Sequence, residues 1–216
     1  MPLTTEYTQG AAETSAGYTY ADAIQNFSAP NTVLASIDIN ESTSCGSIGI
    51  LALSTSLTTE PVFDQRMELV DPASLQSQVA ADGAASRIVS AVSFDGYTGK
   101  FVMLSYGWQG DTTTAYEAKT FIAQPANVGP DAEQLANEGY FISAFGGNDQ
   151  SGYAIVGMRV MGDTTPRPWQ LAYQYPPPNT PPSTTGNMPS VANPLPLSPV
   201  LWLDELNTGS EYFSEQ

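Results

Sequence analysis

The sequence contains no histidine. That excludes Ser-His-Asp and Cys-His arrangements and any metal site that relies on imidazole. It contains one cysteine, Cys45, in the polar run ESTSCGS. A lone thiol closes no internal disulfide and builds no sulfur-ligated metal centre, so Cys45 is read as a loop thiol. Basic residues are also scarce, six against 22 acidic ones, for a formal charge of -16. The six are Arg66, Arg87, Lys100, Lys119, Arg159 and Arg167, all from the middle of the chain. A chain of that charge repels phosphate backbones and anionic bilayers, so neither nucleic acid nor a membrane is expected as a partner. No stretch approaches the ~20 apolar residues that span a bilayer. The start, MPLTTEYTQGAAETS, lacks the basic-then-apolar pattern of a secretion signal. The expectation is an unprocessed product made in the cytoplasm, or one released as part of a particle.

Chemistry-bearing motifs are few. There is no GxxxxGK[ST] phosphate loop and no GxGxxG after a strand, and no cofactor is expected. Glu117, Glu138 and Asp149 are candidates for a carboxylate pair of the glycoside-hydrolysing kind, but sequence spacing does not set their separation. Asp38-Ile39-Asn40-Glu41 offers oxygen ligands without the glycine and distal glutamate of a calcium loop, and reads as a solvated acidic turn. No catalytic residue is assigned. Only 13% of the chain is charged, about half the usual share. Ser, Thr, Asn and Gln fill the gap, and such a surface is easily desolvated against a partner.

What is present is repetition. The phrase Gly-Asp-Thr-Thr occurs at residues 110–113 and again at 162–165. Ahead of the second copy, Ala115 to Ile122 reads as a strand. NVGPDAEQLANEGY reads as a helix, with Pro130 in its first turn, Asp131 and Glu133 near its N-terminus and Gly139 as its stop. Phe141–Phe145 and Tyr153–Met161 then read as a hairpin across the turn-forming GGNDQSG. Ahead of the first copy, PVFDQRMELV reads as a strand and Asp71-Pro72 as a helix start. ASLQSQVAADG reads as a helix with Leu75 and Val79 on one face and Gly83 as its stop. Residues Arg87–Phe94 and Phe101–Trp108 complete the same order. A fainter copy uses Thr4–Tyr7, TYADAIQNF as helix, TVLASIDI and SIGILALSTS, and Trp169–Tyr175 sits where a fourth unit would begin. The expected fold class is α+β: tandem β-α-β-β units over residues 4–59, 60–113 and 114–165, forming a mainly antiparallel sheet with helices on one face. One domain is expected over residues 1–175. Ile142, Ala144, Val156 and Met158 should bury one face of that sheet, and GDTT should be a turn in which Asp and Thr bond nearby backbone.

The stretch LANEGYFISAFGGNDQSGYAIVGMRV resembles the tandem structural repeats of bacterial proteins and polyglycine hydrolases. There, too, a helix ends in Gly plus an aromatic before a strand, a glycine-rich turn and a return strand. The likeness covers residues 60–165. This sequence departs from it in lacking basic or Trp-rich return strands. In polyglycine hydrolases the chemistry belongs to a separate domain, so the resemblance implies scaffolding or recognition and transfers no catalytic residue.

After Tyr175 the character changes, with nine prolines between Pro176 and Val200. Proline fixes φ and lacks an amide donor, so an extended arm is expected over 176–216. Its tip, VLWLDEL followed by NTGSEYFSEQ, is apolar and aromatic. The residues expected to bind a partner are Pro196, Leu197, Pro199, Val200, Leu201, Trp202, Leu203, Leu206, Tyr212 and Phe213. Docking on a neighbouring subunit, folding back on its own domain, and disorder are the three alternatives for this tip. The favoured reading is a non-enzymatic structural protein, an oligomer whose partner is itself or another subunit, such as a virion or filament component. A glycan- or peptide-binding module using Tyr97, Tyr106, Trp108, Tyr140, Tyr153, Trp169, Tyr173 and Tyr175 is the alternative, and an acid-pair hydrolase the third.

Overall fold

The computed structural model of the chain describes residues 3–8, 32–41, 46–55, 63–96, 98–109, 111–167, 169–174, 203–205 and 209–215. They form an α+β structure. The strands are β1 (Leu3–Thr8), β2 (Thr32–Glu41), β3 (Gly46–Thr55), β4 (Phe63–Val70), β5 (Arg87–Asp95) and β6 (Lys100–Trp108). They continue as β7 (Tyr116–Ala123), β8 (Phe141–Asn148), β9 (Gly152–Val160), β10 (Trp169–Gln174), β11 (Leu203–Glu205) and β12 (Gly209–Glu215). The helices among the described residues are α1 (Leu75–Ala84) and α2 (Val128–Asn137), each entered through a 3-10 turn with proline at its first positions, Pro72 and Pro125. None is long and apolar enough to cross a membrane.

The ladders are antiparallel, as expected, but they do not join into one sheet. They form separate three-stranded sheets, β1-β3-β2, β4-β6-β5, β7-β9-β8 and β10-β12-β11. In each, the third strand of the group lies between the first and the second. In three of the four sheets the second strand carries a bulge. In β5 the register against β6 skips between Val89 and Ala91, and in β8 against β9 it skips between Ile142 and Ala144. In β2 against β3 it skips between Leu34 and Ser36. A bulge twists a strand and interrupts the hydrogen-bonding row a further strand would need.

Both faces of β8 and β9 are buried, where one buried face was expected. Phe141, Ala144, Ala154, Val156 and Met158 join a core with Leu75, Val79, Val89 and Val92 of the preceding unit. Ile142, Phe145, Tyr153 and Ile155 join Val128, Ala132 and Leu135 of α2 on the other face. The bulge residue, Ser143, is what places Phe141 and Ala144 on the same face despite their odd spacing. The sheets therefore stack face to face. β2, β5 and β8 touch one another pairwise, while α1 packs on β5 and on the outer strand β7. The sheets are closest at these inner strands, and α1 lies in the wedge further out.

The closest approach is between β5 and β8. A methyl on Gly146 would overlap the carbonyl oxygen of Val92 and sit 2.9 Å from its carbonyl carbon. Between β2 and β5, serines bridge instead. Ser90 Oγ donates to the Leu34 carbonyl at 2.7 Å, and the Ile39 amide donates to Ser93 Oγ at 3.1 Å. Ser90 is the bulge residue of β5, and Leu34 flanks the bulge of β2, so this bond ties one irregularity to the next.

Local expectations fare unevenly. Leu75 and Val79 are both buried, as their spacing required. Gly139 ends α2 at φ +88°. Gly83, expected as the stop of α1, lies inside the helix, and the left-handed turn falls on Ser86 at φ +61°. The glycine serves packing: a methyl there would lie 2.7 Å from the Tyr116 carbonyl oxygen. Asp38–Glu41 is strand, not an acidic turn. The repeated phrase is the turn it was read as. Asp111 Oδ1 accepts the amides of Thr113 and Thr114 at 3.1 and 2.9 Å, and Asp163 Oδ1 accepts that of Thr165 at 3.0 Å. Cys45, Tyr97 and the TYADAIQNF helix lie outside the described residues.

Candidate functional site

The C-terminal residues that the structure describes form two strands beside β10. β12 runs antiparallel along β10, pairing Trp169 with Glu215, Leu171 with Phe213, Ala172 with Tyr212 and Gln174 with Ser210. β11 flanks β12, with Leu203 opposite Glu211, and touches β2. Of the expected partner-binding residues, Leu203, Tyr212 and Phe213 lie in these strands. Pro196, Leu197, Pro199, Val200, Leu201, Trp202 and Leu206 lie outside the described residues. The strand order β10-β12-β11 matches that of the other sheets.

The six basic residues are all committed internally. Arg66 faces Asp82 at 3.8 Å, Arg87 faces Asp64 at 2.7 Å, and Lys100 faces Asp71 at 3.6 Å. Lys119 meets Glu138 at 2.8 Å, Arg159 meets Glu117, and Arg167 meets Asp163 at 3.0 Å. The buried Arg87 also donates to Ser105 Oγ at 3.1 Å and to the Ser105 and Asp64 carbonyls at 3.0 and 2.9 Å. Its guanidinium passes over Gly107. In the next unit the arginine comes from the other strand: Arg159 stands where Gly107 did, and it passes 4.4 Å over the ring of Tyr140, which stands where Arg87 did. Both arginines hold the carboxylate at the second position of the first strand, Asp64 or Glu117. In these two units a cation meets that carboxylate, supplied from the second strand in one and from the third in the other.

The three carboxylates considered for hydrolysis each have a partner, a cation for two of them and a tyrosine hydroxyl for the third. Glu117 holds Arg159, and Glu138 accepts from Lys119 at 2.8 and 2.9 Å and from Gln134 at 2.9 Å. Asp149 accepts the Tyr153 hydroxyl at 2.9 Å. The Lys119 hydrogen bond, helped by that of Gln134, holds the Glu138 carboxyl below its ordinary value. A general acid at neutral pH needs the opposite shift. Asp163 is likewise held low, first by the Thr165 amide and hydroxyl and then by Arg167. Burial pushes the Tyr116 hydroxyl up to about 12 and Tyr106 higher still. Tyr106, Tyr140 and Tyr153 are buried, and Phe145 stacks on Tyr153 at 5.5 Å. These rings fill cores rather than offer platforms to a ligand.

Sequence reasoning missed Gln76. From α1 its side-chain amide donates to the Ala118 carbonyl at 3.1 Å and accepts the Thr120 amide at 2.6 Å. It thereby occupies two backbone groups on the outer edge of β7, where another strand would otherwise add. A helix residue with no periodic signal gave no hint of this. It also missed the acceptor role of Trp169–Gln174, although the strand itself was legible. No family model matches the chain, and comparison with curated proteins and with solved structures returns no match.

Proposed function

We propose that this chain is a non-enzymatic structural subunit, a body built by repeating one β-α-β-β unit, that joins neighbouring subunits through its C-terminal segment. A virion or filament component is the concrete form of this reading. What supports it is that the C-terminal strand β12 completes a sheet along the edge of β10, pairing within this chain by a mode that a strand from a neighbour can equally use. A chain end that adds a strand to a sheet edge joins pieces through main-chain hydrogen bonds, a recurring way of linking polypeptides. Two further features support the reading. The six cations and the three candidate carboxylates are used to hold the fold together, and the surface carries few charges to desolvate on association.

The test is the size of the full chain in solution by light scattering. A subunit of this kind runs at multiples of 22.9 kDa, and removal of residues 176–216 returns it to one chain. A full-length protein that stays at one chain mass across the accessible concentration range overturns the reading. The accessory-module alternative predicts that outcome together with ligand-dependent tryptophan fluorescence.

A further inference from the structure

We infer that the β11–β12 hairpin is an exchangeable element: in the assembly it completes the β10 sheet of a second copy of this chain. This rests on the subunit reading above and names its acceptor site, the edge of β10 together with β2. The central strand of the last sheet, β12, comes from the far end of the chain. Without it, β10 and β11 have no strand between them. The contacts that seat the hairpin are a backbone ladder to Trp169–Gln174 and a flank against β2. Nothing in them depends on which copy supplies the hairpin.

The covalent connection is what decides between one's own sheet and a neighbour's. In the two preceding units the first and second strands are joined by residues 71–86 and 124–140, and here by residues 175–202. The span to be crossed is the same, roughly 20 Å for a short strand length plus two strand spacings. The last connection is far longer and carries nine prolines between residues 176 and 200. Fully extended it reaches on the order of 85 Å. That exceeds the width of about 40 Å expected for a body of this size. Prolines stiffen such a segment and make a short end-to-end distance less favourable. The local concentration that keeps the hairpin at home is therefore lower than in the other units, and a neighbouring edge competes. Reciprocal exchange closes a pair of chains, and one-way exchange propagates a chain of subunits.

The experiment places disulfides across the ladder in the full-length protein, with Cys45→Ser as background. One variant carries Ala172→Cys with Tyr212→Cys, the other Leu171→Cys with Phe213→Cys, both pairs being direct partners. Two adjacent pairs are used because they alternate between the wider and narrower spacings of an antiparallel ladder. Both are oxidised at the highest soluble concentration, with light scattering of the wild type at that concentration, then run denatured without reductant. The expected result is a ladder of covalent multiples in at least one variant. A link confined to single chains overturns the exchange. If the wild type still assembles in that case, the subunit reading stands through another surface, and if it is a monomer, both fall. Failure of both pairs to cross-link in a protein with wild-type circular dichroism overturns the register itself, and the proposal with it.

Discussion

Gly146→Ala is the sharpest probe of how the sheets stack. The added methyl would overlap the Val92 carbonyl oxygen and lie 2.9 Å from its carbon and 3.3 Å from the Ser93 Cα. All three atoms are backbone, so no rotamer change relieves the overlap, and β5 and β8 must move apart. Overpacking of a buried site costs about 1–3 kcal/mol, more where nothing can yield. We expect about 3 kcal/mol, which for a chain of this length lowers the melting temperature by about 6–12 °C. The control is Gly129→Ala in α2, where nothing lies within 4 Å. Both substitutions restrict the unfolded chain equally, which by itself stabilises by about 0.4–1 kcal/mol. The control should therefore be neutral or gain about 0.5 kcal/mol from helix propensity. Urea unfolding followed by circular dichroism separates them, since the midpoint shifts at constant slope when only stability changes. If Gly146→Ala unfolds at the same midpoint as Gly129→Ala, β5 and β8 are not in backbone contact, and the stacked arrangement is wrong.

Other substitutions test the polar network. Arg87→Lys keeps the charge but cannot reproduce the fork to Asp64 and Ser105, and should lower urea stability by about 1–3 kcal/mol because buried acceptors lose their donor. Glu138→Gln should cost about 0.5 kcal/mol at pH 7, where the carboxylate is ionised in both states. Because the folded Glu138 is held below its ordinary value, its contribution is present above the unfolded pKa and is lost as pH falls through the folded one. Melting curves of wild type and variant should therefore converge at acid pH, and a gap that widens instead refutes the assignment. Gln76→Ala should cost about 1 kcal/mol and, by baring the β7 edge, increase aggregation measured by light scattering on warming. Unchanged solubility would show that the edge needs no cover.

Much of the local structure was legible because it depends on neighbours in sequence. The pairing of Leu75 with Val79, the left-handed stop at Gly139 and the Asp111 and Asp163 turns each involve residues within about one turn of one another. The misreadings share a different cause. Gly83 was taken as a stop because glycine often ends helices, but its neighbour is Tyr116, 33 positions away in sequence. Ser90 and Ser143 look like ordinary polar strand residues, and their bulges are visible only in the ladder with the next strand. The candidate carboxylates could not be judged until Arg159 and Lys119 were seen beside them.

The amino-acid order alone determined the α+β class and the local turns, because hydrophobic period, proline, glycine and Asx chemistry act over a few residues. It also determined which chemistries lack their residues, through composition. Tertiary structure alone decided that the strands close into separate stacked sheets, that both faces of the inner strands are buried, and that the chain end pairs with β10. Those outcomes depend on bulges, on methyl-sized gaps between backbones and on which distant edge accepts the last strand. Such quantities arise only when segments far apart in sequence meet.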